Sequence, residues 1–244
     1  MTDLPKFADL EAMAAALGPI PQRAKLDNIL KRLKRTQSCI ADLSLAQHSC
    51  EALSQLGSIH TAMPPVHRTA VEHALTANAI VLYARATSTN SNKGERGSVS
   101  INDRLSKEDK PDHEMILDLR DKVIAHVHPG EEVADSIWHH EKVFAVEDGQ
   151  GWIPAAGTRR VQTEPATAKR LRKMIPLAQA ILRVTYDRQI AALVDVLHQI
   201  GVEQSLFESH PLDPTTIFGS VEEARRSFQN RHRGQSSGVI TNPE

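Results

Sequence analysis

The stretch MILDLRDKVIAHVHP, residues 115–129, decides how the chain is read. Taken as an α-helix at about 100° per residue, Leu119, Val123 and Val127 fall within about 60° of Ile116 and make one apolar stripe. Arg120 falls about 40° from Ile116, on that stripe, and His126 about 80° from it on the other shoulder, while Asp121 points away. A guanidinium beside a core stripe is costly unless it meets a carboxylate, a phosphate or a subunit boundary. The helix therefore breaks its own amphipathic rule at Arg120, and such breaks concentrate at functional or strained sites. Pro129-Gly130 stops the segment, which predicts His126 in the last helical turn.

Outward from this helix the period stays helical. Leu26, Ile29, Leu30, Leu33, Ile40, Leu43, Ala46, Cys50, Leu53 and Leu56 recur at three and four, giving one long helix or two nearly collinear ones that end near Gly57. A short helix over residues 4–17 precedes it, stopped by Gly18 and Pro19. Pro64 and Pro65 open the next helix, which runs through Val71, Leu75, Ile80 and Leu82 to about Ala86. Residues 164–200 form another, with Pro176 marking a bend or a preceding turn. Only residues 141–161 change period: β-formers flank Asp148-Gly149 and read as a β-hairpin. The expected architecture over residues 1–200 is mainly α, an up-and-down four-helix bundle with an inserted β-hairpin. Residues 201–244 read as a C-terminal extension with a short basic helix near residues 220–231 and a Gly/Ser-rich disordered end.

Residues 87–100, TSTNSNKGERGSVS, have almost nothing to bury and read as a mobile loop. Lys93, Arg96 and the two glycines, next to the helix bearing Arg85, would suit a flap that contacts RNA phosphates; a solvated connector fits at least as well. Of the 244 residues, 29 are Lys or Arg and 30 Asp or Glu, so overall charge forces no class of partner. Basic clusters at residues 23–35 and 159–173 are read as solvated helix faces before nucleic-acid surfaces.

Cys39 and Cys50 stand eleven residues apart, about three turns along one helix and too far for a disulfide, as in a reducing cytoplasm. No apolar run approaches the ~20 residues of a bilayer span, so a soluble cytoplasmic protein is expected. His139-His140 beside Glu141 invites a metal, but neighbouring side chains on a strand point to opposite faces and no H-E-x-x-H or Cys pair accompanies them. Neither metal nor cofactor is expected.

LRDKVIAH, Leu119 to His126, resembles the signature of the HEPN superfamily: an Arg, usually followed by Asn, Asp or His, with a His after four to six residues. The wording is most similar to HEPN proteins of the abortive-infection kind, in which a stretch like LYARAT, residues 82–87, commonly lies upstream. The resemblance spans roughly residues 64–200. It implies a HEPN-like four-helix core, a homodimer with two motifs facing across a two-fold, and a metal-independent endoribonuclease of phage defence or of a toxin–antitoxin system. RNA is then the substrate, and in a toxin–antitoxin setting an antitoxin protein is a further partner. Arg120 would hold the phosphate, His126 would act as acid or base, and Asp121 would orient one of them. HEPN domains also serve as non-catalytic dimerisation or nucleic-acid-binding modules, and the same side chains suit both roles. Taken singly, His126 could equally be a helix-end residue bonded to a carbonyl, and Arg120 the partner of a neighbouring carboxylate.

Overall fold

Asp9 starts the first helix. Its carboxylate accepts from the backbone N–H groups of Glu11 (2.9 Å) and Ala12 (3.0 Å), two of the donors a helix start leaves unpaired, and α1 follows over Leu10–Ala16. The computed structural model describes residues 6–56, 63–88, 96–126, 128, 130–134, 136–147, 149, 151–161 and 164–231. These are mainly helical, with two small antiparallel hairpins. α2 is one unbroken helix over Pro21–Leu56, α3 spans Pro65–Thr87, and α5 is continuous over Pro165–Ile200 with Pro176 inside it. α4, Lys110–Asp118, carries the motif onward. None of the described helices is long and apolar enough to cross a membrane.

The chain divides into two compact units whose boundaries fall inside α2 and α5: Met1–Gln37 with Thr185–Glu244, and Ser38–Val184. In the first, Ala14, Leu26, Ile29, Leu30, Leu33, Leu193 and Val196 form one buried cluster, the three-and-four spacing of α2 meeting that of α5. Three short helices complete it: α6 Gln204–Glu208, α7 Thr215–Phe218 and α8 Val221–Arg231, the last at the basic helix read from the sequence. Asp9 N–H donates to the His210 carbonyl (2.8 Å) and Leu212 N–H to that of Phe7 (3.0 Å), so residues 7–9 are tied to the segment after α6. The Gly/Ser-rich end lies outside the described residues.

In the second unit Leu43, Ile80, Tyr83, Ile116, Leu119, Leu171, Ile175 and Leu182 are buried. Polar bonds link its helices in sequence around that core. Asn78 donates to Ser49 Oγ (2.9 Å) between α3 and α2, and Tyr83 OH meets His113 Nδ1 (2.9 Å) between α3 and α4. Lys173 reaches Asp109 (2.9 Å) and Asp112 (2.7 Å) at the start of α4, and Arg172 donates to Ser54 Oγ (3.2 Å) between α5 and α2. Cys39 and Cys50 are both buried free thiols. After the 87–100 loop there is a single 3-10 turn, Asn102–Arg104.

Between α4 and α5 lie β1, Glu132–Val133, paired with β2, Ser136–Ile137, and then the hairpin of β3, His139–Glu147, and β4, Trp152–Arg160. Its register runs from His139↔Arg160 to Glu147↔Trp152. The period change in the sequence thus marks a real hairpin. Trp138, just before it, is buried and donates from Nε1 to the Val133 carbonyl (2.9 Å).

Candidate functional site

The motif does not continue as an α-helix. After Asp118 the hydrogen-bond step widens to i→i+5, and Leu119–Ala125 is a π-helix. Such segments are rare and frequent at functional sites. The π-helix ends at Ala125, and His126 is the capping residue, extended at φ −133° and ψ 154°. The expectation that His126 sits in the final helical turn is corrected accordingly: it lies one residue beyond, and it is exposed.

Arg120 departs from its helical-wheel position as well. Ile116 and Leu119 are fully buried, but the Arg120 side chain is 43% exposed and its Nη1 pairs with the Asp121 carboxylate next to it. A long stem lets a guanidinium leave an apolar stripe and reach water. The carboxylate Arg120 requires is thus its own neighbour's, and the inference of an opposed subunit from its burial loses its basis. The pair is the neighbouring carboxylate weighed for Arg120 in the sequence.

Around this turn the structure gathers residues that the sequence reading left out. Lys122 bridges Asp118 (3.6 Å) and Glu131 (2.9 Å), and Glu131 turns its other oxygen to His128 Nδ1 (3.3 Å). The bond from Lys122 is the main reason the Glu131 carboxyl is held below the usual range, with Lys122 raised in return. The rings of His126 and His128 stand edge to face, 6.3 Å apart at 88°. Behind them, the Val123 carbonyl meets Nε2 of His139, which is buried, at 3.3 Å; Nδ1 of His139 has no partner among the described residues. Gly130 N–H donates to the His139 carbonyl (2.8 Å), so β3 begins tied to the motif by side chain and backbone. His128 carries a sequence signal, the H-V-H that ends the motif; Glu131 carries none, and His139, weighed in the sequence only for a metal, carries none that ties it to the motif.

The residues expected to contact RNA lie elsewhere in the unit. Arg85 binds both oxygens of Asp42, one of them at 2.9 Å from Nε, and Arg96 Nη2 reaches the same carboxylate at 2.7 Å. Arg96 also donates to Ser38 Oγ (2.7 Å) and the Arg85 carbonyl (3.1 Å). Asp42 is buried, so one carboxylate pins the end of the 87–100 loop to α2 and α3. Two guanidinium groups on one carboxylate leave the cluster cationic. Lys93 lies outside the described residues.

His139 and His140 differ as alternating strand residues should, one buried and the other half-buried. Among the described residues no three His, Cys, Asp or Glu are grouped to hold a metal. The first unit has a larger groove, about 870 Å³, lined by Phe7, Leu10, Phe207 and Leu212 among others, but its Lys6 and Glu208 pair with one another at 3.3 Å. That groove offers apolar surface and no acid–base pair poised for chemistry. The groups with chemical capacity on this turn are two pairs: Arg120 with Asp121, a cation for a phosphate, and His126 with His128, two imidazoles edge to face. Comparison with protein-family models, with curated proteins and with solved structures gives no match.

Proposed function

We propose that this chain is a metal-independent endoribonuclease, a HEPN-like four-helix bundle acting as a homodimer in the cytoplasm, in phage defence or a toxin–antitoxin system. The observation that carries the reading is the π turn, which holds LRDKVIAH with Arg120, Asp121 and His126 at the surface over a buried Ile116 and Leu119. The four helices linked in sequence by polar bonds in residues 38–184 support the bundle. The dimer rests on the resemblance alone, since Arg120 finds its carboxylate within its own chain.

In this reading a phosphodiester docks on Arg120, which swings from Asp121 or shares it, and offsets charge that develops on phosphorus. The ribose 2′-hydroxyl gives up its proton and attacks its own phosphate, and the 5′-oxygen leaves. The products are a 2′,3′-cyclic phosphate and a 5′-hydroxyl. His126, exposed and extended where the π turn ends, exchanges one of the protons. Arg85, Arg96 and Lys93 supply cationic surface along the RNA, and an antitoxin would act by covering the same turn.

The test is cleavage of a mixed RNA pool by wild type and His126→Ala, with the new ends identified. Wild type is expected to leave cyclic phosphate, and His126→Ala to cut slower by about 10²–10⁴. Equal rates would remove His126 from the chemistry. A second reading, a non-catalytic dimerisation or RNA-binding module, is favoured by one feature: the Arg120 charge is already met by Asp121. RNA binding without any cleavage would select it.

A further inference from the structure

Cleavage through a 2′-hydroxyl needs two proton transfers, one from the nucleophile and one to the leaving group. A single motif histidine provides one of them per turnover step. We infer that His128 is the second acid–base residue of the site, donating the proton to the departing 5′-oxygen, with Glu131 as its positioning residue. The inference rests on the ribonuclease reading of the same site.

Two observations carry it. The two rings stand 6.3 Å apart at their centroids, and hydrogen bonds of about 2.6–3.2 Å from each can engage two oxygens of one phosphorus. Glu131 Oε2 lies 3.3 Å from Nδ1 of His128, and Lys122 holds the other carboxylate oxygen at 2.9 Å. A carboxylate on Nδ1 orients the ring and leaves Nε2 to face substrate. No comparable carboxylate bond is found at His126 among the described residues. The asymmetry assigns the roles: His126 takes the proton from the 2′-hydroxyl, and His128, the carboxylate-backed ring, delivers its own.

The step balances as follows. The 2′-O–H bond breaks, its proton goes to His126, and the 2′-oxygen forms a bond to phosphorus. The P–O5′ bond breaks, its electron pair stays on oxygen, and that oxygen takes the proton of His128. Exchange with water returns both rings to their starting states.

The experiment compares ordinary RNA with the same RNA carrying a bridging 5′-sulfur at the scissile phosphate, whose thiolate leaves without needing a proton. His128→Ala should slow ordinary RNA by about 10²–10⁴ and regain most of that loss on the sulfur substrate. His126→Ala should stay slow on both. Glu131→Gln should slow ordinary RNA by about tenfold and cut the sulfur substrate at the wild-type rate, a split that a merely structural role would not produce. His128→Ala cutting ordinary RNA as fast as wild type, or equally slow on both substrates, would overturn the assignment and leave the ribonuclease reading standing. Wild type that cuts neither substrate would overturn both.

Discussion

Tyr83 and His113 show what burial does to a titratable pair in this protein. Both are buried, and the Tyr83 hydroxyl and His113 Nδ1 share a hydrogen bond of 2.9 Å whose direction follows the tautomer of the ring. Burial holds His113 below the ordinary histidine range and pushes the Tyr83 phenol well above its own. A folded-state value below the unfolded one means the unfolded chain binds the proton first on acidification. The contribution is complete above the unfolded value of about 6.5 and is lost as pH falls from there through the folded value. Thermal melts should therefore lose stability between pH 7 and 5, and His113→Gln, which can still hydrogen-bond Tyr83, should flatten that part of the curve. Asp42 is a second residue whose burial decides its role. Asp42→Asn should cost about 1–3 kcal/mol by urea unfolding, because the arginines it holds stay 52% and 25% exposed and keep part of their hydration. Nothing local distinguishes Asp42 from any other helical aspartate. Arg120 and His126 were legible because the motif binds them into one pattern, although helical spacing alone misplaced both.

At the scale of elements, the π turn and the hairpin are coupled through His139. Removing that ring leaves the Val123 carbonyl without its side-chain donor. His139→Ala should cost about 1–3 kcal/mol and raise amide exchange in residues 122–125 more than in α3. Uniform exchange changes across both would contradict the coupling. The far end of the hairpin behaves differently: Trp152 is 71% exposed and Val143 84%. Trp152→Ala should shift stability by no more than about 0.5 kcal/mol. The hairpin was legible because the helical spacing lapses where β-formers flank Asp148-Gly149, and nine positions pair there. The π turn was not. Ile116, Leu119, Val123 and Val127 keep an α-like spacing, and the missing N–H of Pro129 reads as a stop signal, not as a change of hydrogen-bond step.

At the scale of the whole molecule, the longest sequence separations are the ones that pattern reading leaves out. Helix lengths and stops gave α2, α3 and α5 to within a few residues, since proline, glycine and apolar period act locally. The bond from Asp9 to the His210 carbonyl joins residues whose neighbours carry no shared signal, and with it residues 6–37 fall into one compact unit with residues 185–231. Ending the chain at Ile200 would remove that bond and the one from Leu212 to Phe7. Amide exchange should then rise at Asp9 and through α1 while residues 110–118 stay protected; unchanged protection of α1 would show that these bonds do not hold it.

The central claim is that the π turn cuts RNA through the substrate's own 2′-hydroxyl. Its most direct measurement uses one RNA with a mapped cleavage site and the same strand with a single 2′-deoxy nucleotide there, each incubated with purified protein in excess EDTA. The account predicts cleavage of the first and none at the substituted position of the second, with binding of the two equal. Equal cleavage of both strands, or cleavage of the first that EDTA abolishes, would contradict it.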